Sequence, residues 1–215
     1  MSVPTYINIH THHVDTDLIN VMSLINKHKD FDTLVDKDFY SCGLHPWYIS
    51  DVKSQIASLS ENVLSPQVLA IGECGLDKIC VTDFNIQIEA FQRQIALANE
   101  CDKPLLIHCV KAYDETLLQL KRASVPAIFH GFNKNSNFAQ KVLDQGHYLS
   151  FGAALLRSAT VMDVFSKIDL SRCFFETVDS DISIQDVYAA AAQIRNIEED
   201  AIILQLQENY KTVFN

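Results

Sequence analysis

Long apolar runs are missing from this chain. None of its 215 residues lies in a stretch approaching the ~18 that a membrane-spanning helix needs. The first dozen residues, MSVPTYINIHTH, have neither the basic start nor the unbroken apolar segment of a secretory signal. A cytoplasmic protein without membrane attachment is expected. Glycine (six) and proline (five) are scarce and gather nowhere into a linker, and repeats and low-complexity tracts are absent too. That excludes a beads-on-a-string organisation and predicts one continuous domain over residues 1–215. The six cysteines, at 42, 74, 80, 101, 109 and 173, form no CxxC pair. In a chain of this size they are expected as reduced thiols in the core rather than as disulfide staples. Basic residues are in deficit, with 17 Lys and Arg against 27 Asp and Glu and a formal charge of −10. Such a balance argues against a broad groove for duplex DNA, whose nonspecific affinity comes mainly from cationic side chains on phosphates. Any nucleic acid must be gripped locally, and no obligate protein partner is implied.

What the chain does have is core-forming capacity, with 48% apolar and 20% charged residues. Short apolar runs ending in polar residues or glycine recur, many with helical spacing between them. They predict strands at Tyr6–His10, Asn20–Leu24, Tyr40–Gly43, Val68–Gly72, Leu105–His108, Ala127–His130, Tyr148–Phe151 and Cys173–Glu176. Eight strands in 215 residues, one per roughly 27, match the spacing of a strand plus a crossover helix. The expected fold is α/β, a TIM-like (β/α)8 barrel, compact or slightly distorted, in a single domain. Ile88, Phe91, Ile95 and Ala98 mark one amphipathic helix, and Val187, Ala190, Ala191 and Ile194 another. Asn196 with Glu199 predicts a capped start for a final helix ending near Phe214. The segment from Val14 to Phe39 is short and weakly patterned, so the early helices of the barrel are expected to be trimmed.

The chemistry lies in where the histidines fall. His10 and His12, two apart at the end of the first strand, share one face of an extended chain. Glu73 follows the fourth strand, His108 closes the fifth and His130 the sixth. Active sites of (β/α)8 barrels are built at those C-terminal strand ends. Any one of these histidines alone reads as an ordinary hydrogen-bonded residue. Four imidazoles with a carboxylate, all at one barrel face, read as a metal site. The donor set favours one or two divalent ions, zinc first, with manganese, iron, nickel or magnesium as alternatives. Glu73 could bridge one ion held by His10 and His12 and another held by His108 and His130, so that a water between them is activated toward a phosphoester.

The motifs HTH at 10–12, GLHP at 43–46, AIGECGLD at 70–77, LLIH at 105–108, FHGF at 129–132, GHYLSFG at 146–152 and FET at 175–177 resemble, in order and spacing, those of the TatD family of metal-dependent deoxyribonucleases. The resemblance covers nearly the whole chain, down to Asn209 and Phe214. It implies an amidohydrolase-like metal barrel with deoxyribonuclease and 3′–5′ exonuclease activity. It places the metal ligands on His10, His12, Glu73, His108 and His130, and His45 near the substrate phosphate. Asp77 is expected to orient neighbouring loops or to hydrogen-bond a ligand imidazole.

Two departures stand out. Where the family has Glu-Thr-Asp, whose Asp is expected to bind metal and accept a proton, this chain has Glu176-Thr177-Val178. Asp179 replaces that carboxylate only if a bulge re-aims it, because one residue along a strand reverses the side chain. The family's Ser-Arg after the fifth-strand histidine is Cys109-Val110 here, leaving Lys111 and Lys134 as nearby point charges. Trp47 and Phe132 are candidates for stacking on a base or sugar. Three functional readings remain open: a phosphodiester hydrolase acting on DNA or a small phosphoester, a metal-binding pseudoenzyme whose turnover is reduced by Val178, and a metal-dependent ester, lactone or amide hydrolase.

Overall fold

The computed structural model describes residues 5–13, 20–31 and 33–214. Eight strands are present: β1 Tyr6–Thr11, β2 Val21–Lys27, β3 Phe39–Cys42, β4 Val68–Asp77, β5 Leu105–Val110, β6 Ala127–Phe129, β7 Tyr148–Phe151 and β8 Cys173–Phe175. They form one sheet in chain order. A Thr11–Val178 bridge just beyond β8 returns the chain to β1. There the His12 N–H donates to the Val178 carbonyl at 2.9 Å and the Val178 N–H to the His10 carbonyl at 3.0 Å. Among the described residues, helices begin only after β3: α1 Val52–Asn62, α2 Phe84–Cys101, α3 Tyr113–Leu120, α4 Ser136–Asp144, α5 Ala154–Arg157, α6 Ala159–Lys167, α7 Ile184–Arg195 and α8 Glu199–Phe214. The connection from β2 to β3 is irregular through 28–31 and 33–38. Residues 14–19 of the weakly patterned segment lie outside the described ones.

Parallel strands covered on both faces read as continuous apolar runs rather than as alternation. Leu105, Leu106 and Ile107 of β5 are all fully buried. The amphipathic stripe at 88–98 becomes α2, started by the Asp83 carboxylate accepting from Asn85 and Ile86 N–H and stopped by Asp102 in a left-handed conformation. The stripe at 187–194 becomes α7. Its start is a capping box that the spacing did not reveal, the Ser183 hydroxyl on the Asp186 N–H and the Asp186 carboxylate on the Ser183 N–H. Asn196 is a correction. It does not begin the last helix but ends α7 at φ +52, its N–H bonded to the Ala192 and Gln193 carbonyls. A short amide side chain that tolerates left-handed backbone serves either end of a helix, and here the C-terminal role wins.

Contacts divide the chain into two compact units, residues 1–25 with 130–215, and residues 26–129. In the first, Phe151, Phe165, Phe175 and Tyr188 form a chain of tilted and edge-on rings 4.8–5.7 Å apart. Each such ring contributes ~1.5–3 kcal/mol when fully buried. The Tyr188 hydroxyl donates to the Ile7 carbonyl at 3.1 Å and accepts from its N–H at 3.0 Å, fastening α7 to β1. Buried Asn209 ties α8 down by donating to the Leu170 and Cys173 carbonyls at 2.7 and 2.8 Å. Phe132 belongs to this core too, 3% exposed against Phe151 and Phe138. That removes it as a stacking surface. In the second unit Ile71 and Leu76 of β4 and Phe91 and Ile95 of α2 are buried. All six cysteines are free thiols, with Cys42, Cys74 and Cys173 buried.

Candidate metal centre

In the 26–129 unit, the site begins with a bulge. β4 pairs Gly72 with Leu106 and then Cys74 with Ile107, leaving Glu73 as the extra residue. Bulges re-aim one side chain without ending a strand. The close approach of β4 to β5 requires glycine: at Gly75, φ +139, a Cβ would stand 2.1 Å from the His108 carbonyl oxygen. Glu73 is 4% exposed. Its Oε1 accepts from Asn26 Nδ2 at 3.0 Å, and Asn26 Oδ1 accepts the Glu73 N–H at 3.0 Å and the Ser41 hydroxyl at 3.2 Å. That leaves Glu73 Oε2 facing His108 Nδ1 at 3.5 Å and His45 Nε2 at 3.7 Å. Those two ring nitrogens are 3.2 Å apart.

The 3.5 Å between Glu73 Oε2 and His108 Nδ1 is the donor–donor spacing of a tetrahedral ion with bonds of about 2.0–2.2 Å. Hydrogen bonds on the far side of each ring decide what each nitrogen supplies. The Trp47 backbone N–H donates to His45 Nδ1 at 3.1 Å. Nδ1 is therefore an acceptor, and the proton of neutral His45 sits on Nε2. His45 presents a hydrogen-bond donor to the site, not a lone pair. It donates to His108 Nδ1, so the His108 proton sits on Nε2 and goes to Asp77 Oδ2 at 3.0 Å. His108 Nδ1 is thus the lone pair that would ligate, and Asp77 is the carboxylate that orients it.

Asp77 is fully buried. It also accepts the Trp47 indole N–H at 2.7 Å and the Ile79 N–H at 2.8 Å. Burial alone would raise its carboxyl. The hydrogen bonds from Trp47, His108 and Ile79 outweigh that and hold it below the ordinary aspartate range.

In the other unit, β1 carries its own irregularity: the register with β2 shifts between Asn8 and Thr11, around His10. His10 is fully buried, while His12 is exposed. Their rings stand edge-on, 5.1 Å apart. The His130 ring, one residue past β6, lies 4.6 Å from that of His10. Glu176, fully buried, has Oε1 accepting the Gly131 N–H and lying 4.0 Å from His130 Nδ1. Its Oε2 is buried with no hydrogen-bond partner among the described residues. Asn8 and Thr177 exchange two hydrogen bonds of 3.0 and 3.1 Å, which hold the end of β8 to β1. Val178 follows with φ +58, a conformation that a β-branched residue rarely adopts. Asp179 is exposed on the turn closed by the Ser180 N–H on the Thr177 carbonyl.

Sequence reasoning missed Asn26, Glu176 and both N–H groups of Trp47. Asn26 lies beyond the predicted end of its strand, and Glu176 was visible only as part of a motif. The Trp47 contacts depend on loop geometry that spacing does not encode. Lys111 is exposed and Lys134 half-buried. Cys109 donates to the Thr116 hydroxyl at 3.4 Å. Among the described residues no helix is long and apolar enough to cross a membrane.

Residues 6–215 match the family model described as TatD related DNase. An uncharacterized metal-dependent hydrolase of Buchnera aphidicola is 27% identical over 194 residues, covering 81% of this chain and 73% of that protein. A 3′–5′ ssDNA/RNA exonuclease TatD of Erwinia tasmaniensis is 27% identical over 165 residues, 73% of this chain and 61% of its own length. The crystal structure of YjjV, a TatD homologue from Escherichia coli K12, superposes with a TM-score of 0.81 at 22% identity, covering 98% of both chains. That likeness shows the fold, the expected TIM-like (β/α)8 barrel.

Proposed function

This chain belongs to the family of TatD-related DNases, and from that premise we propose that it is a metal-dependent hydrolase of phosphodiester bonds, acting on a single-stranded nucleic acid end or a small phosphoester. The observation that carries this reading is the direction of the hydrogen bonds around Glu73. Asn26 and Asp77 hold Glu73 Oε2 and His108 Nδ1 as lone-pair donors 3.5 Å apart, while His45 offers an N–H beside them. Lone pairs suit a cation and an N–H suits a phosphate oxygen; the arrangement provides both. In this reading the ligands are His10, His12, Glu73, His108 and His130. Glu176, whose buried Oε2 has no partner among the described residues, adds negative potential beside His130 that a cation would offset.

A divalent ion bound there supplies Lewis acidity toward a phosphoryl oxygen and a nucleophile at neutral pH. The chain's own residues do the rest. His45, its tautomer fixed by the Trp47 N–H, binds the substrate phosphate, and Asp77 keeps His108 facing inward. The donor set of imidazoles and carboxylate favours zinc, with manganese, iron, nickel or magnesium as alternatives. Support for a phosphodiester rather than a carboxylic ester, lactone or amide comes from the relative named as an exonuclease. The test is hydrolysis of bis-p-nitrophenyl phosphate and of single-stranded DNA with zinc, manganese or magnesium, beside Glu73→Gln. Metal-dependent turnover lost in the variant is expected, and no hydrolysis with any of the three metals overturns the reading.

One observation favours a second reading. Val178 offers neither a ligand nor a proton acceptor at the position where the family resemblance expects Asp, and the exposed Asp179 sits on a turn beyond it. A metal-binding protein with reduced turnover fits that replacement. Val178→Asp separates the two readings.

A further inference from the structure

Next to His45 the chain turns through a single 3-10 turn, Pro46–Tyr48, that leaves two aromatic rings unusually open. Trp47 is 53% exposed and Tyr48 50%. An exposed indole usually moves freely, but this one is held at its polar edge by the 2.7 Å hydrogen bond to buried Asp77, and its backbone N–H is held by His45. Its ring stands at 82° to the His45 imidazole with centroids 5.7 Å apart. Tyr48 is fixed too, stacked on His28 at 4.3 Å and 17°. The loop after β4 secures the turn from the other side, with the Thr82 hydroxyl donating to the Pro46 carbonyl at 2.7 Å. That loop also exposes Ile79 (59%) and Val81 (101%). The Trp47 ring held by its edge and the Tyr48 ring held by one face, with apolar surface beside them, form an aromatic platform adjoining a phosphate-binding donor.

We propose that this platform, Trp47 above all, is a base-stacking subsite that selects substrates carrying an unpaired nucleobase next to the scissile phosphodiester. The inference rests on the phosphodiesterase reading above. A phosphate at His45 Nε2 places the attached nucleoside within reach of the Trp47 and Tyr48 rings. Any base presents a π-face, so the subsite prefers single strands without choosing among bases. The ring is ordered before the substrate arrives, so binding does not pay its rotamer entropy. Stacking also provides affinity without positive charge, which an acidic chain has few other ways to obtain on nucleic acid.

Trp47 is the only tryptophan, so its fluorescence reports contact directly. The probes are a five-nucleotide oligothymidylate with phosphorothioate linkages and the same backbone without bases, each titrated into the metal-supplemented protein. Saturable quenching by the first and little by the second is expected. With a 5′-labelled oligothymidylate followed by anisotropy, Trp47→Ala should weaken binding about 5- to 150-fold. The abasic probe should bind wild type and Trp47→Ala within twofold of each other. Trp47→Phe keeps a face but loses the indole N–H, and should retain most of the affinity. Equal binding of both probes, unchanged affinity in Trp47→Ala, or Trp47→Phe as weak as Trp47→Ala would each overturn the proposal. Hydrolysis of bis-p-nitrophenyl phosphate, measured on the same samples, separates the two ideas. Hydrolysis without base-dependent quenching defeats the stacking subsite alone. Quenching without hydrolysis under any metal leaves the subsite standing and defeats the phosphodiesterase reading.

Discussion

Replacing Asp77 by Asn tests the hydrogen-bond directions on which the site depends. Asp77 accepts three N–H groups, from Trp47 Nε1, His108 Nε2 and the Ile79 backbone. Asn has one acceptor and one donor in the same shape. With its oxygen toward Ile79, its NH2 meets two N–H groups, and His108 can escape only by moving its proton to Nδ1, where the His45 N–H already points. With its oxygen toward Trp47 and His108, the NH2 meets the Ile79 N–H instead. The second orientation is cheaper: it leaves the Ile79 N–H and the new NH2 facing each other without an acceptor, at about 1–3 kcal/mol for the buried NH2, and removes the charge from two hydrogen bonds, which weakens each by roughly half. A total near 3 kcal/mol corresponds to a Tm about 6–12 °C lower for a chain of this size.

Metal affinity should fall ~10- to 100-fold, the usual effect of losing a carboxylate behind a ligating imidazole. The Asp77 carboxyl is held below its ordinary pKa, so its stabilisation is fully present at neutral pH and is lost as pH falls below that ordinary value, ~3.9, through the folded one. The deficit of Asp77→Asn should accordingly narrow in acid. Calorimetry without metal and chelator competition with zinc measure the two effects. A Tm within about 2 °C of wild type together with zinc affinity within twofold would refute the assigned tautomers and with them the donor role of His45.

Three further substitutions test other parts of the molecule. Val178→Asp puts a carboxylate where the backbone is locked to His10 and His12; turnover of bis-p-nitrophenyl phosphate should rise ~10²- to 10⁴-fold, the typical contribution of a proton acceptor, and an unchanged, already high rate would show that the position is not limiting. The same change should stabilise by about 1 kcal/mol, because Asp tolerates φ +58 better than Val; denaturant titration of the metal-free protein checks this. Gly75→Ala drives a methyl group into the His108 carbonyl and should cost about 3–5 kcal/mol through overpacking and backbone strain, so a loss below about 1 kcal/mol in urea would contradict the packing of β4 on β5. Buried His147 has its pKa lowered to about 4, by burial first and Arg172 second. A depressed histidine is neutral in the fold, so stability is undiminished above pH 6.5 and declines between there and pH 4 by about 3 kcal/mol at 1.36 kcal/mol per unit. His147→Phe should flatten that part of a stability–pH curve.

Strand positions were legible because each parallel strand is a short apolar run bounded by polar residues, and all eight were found. Their ends were less so. The run Val68–Gly72 stops at a glycine, yet β4 continues to Asp77, pairing Gly75 with His108 and Asp77 with Val110. Glycine there permits strand contact instead of breaking the strand, and only the neighbouring chain reveals which. Asn196 failed for a related reason: its residue type suits both ends of a helix, and three-dimensional context chose the far one. Among site residues, types were readable and directions were not. His45 looks the same in the sequence whether it ligates or donates; the distinction is made by one backbone N–H two residues on.

In the proposed site that distinction would also account for how so acidic a chain holds a phosphate. With a formal charge of −10, cationic side chains cannot dominate the site's surroundings, and the arginine expected from the family resemblance is replaced by Cys109-Val110. Two divalent ions would add about +4 at one point, but ions alone attract any anion. Selectivity has to come from neutral groups with fixed direction: the His45 Nε2–H, set by the Trp47 N–H, and the Trp47 ring, set by Asp77. Both depend on the same turn, and Asp77 in turn orients His108. In the proposed site a single buried carboxylate would couple cation binding, phosphate binding and the aromatic platform, so that Asp77→Asn should impair all three together, whereas Trp47→Phe should leave His108 and its metal affinity within twofold of wild type.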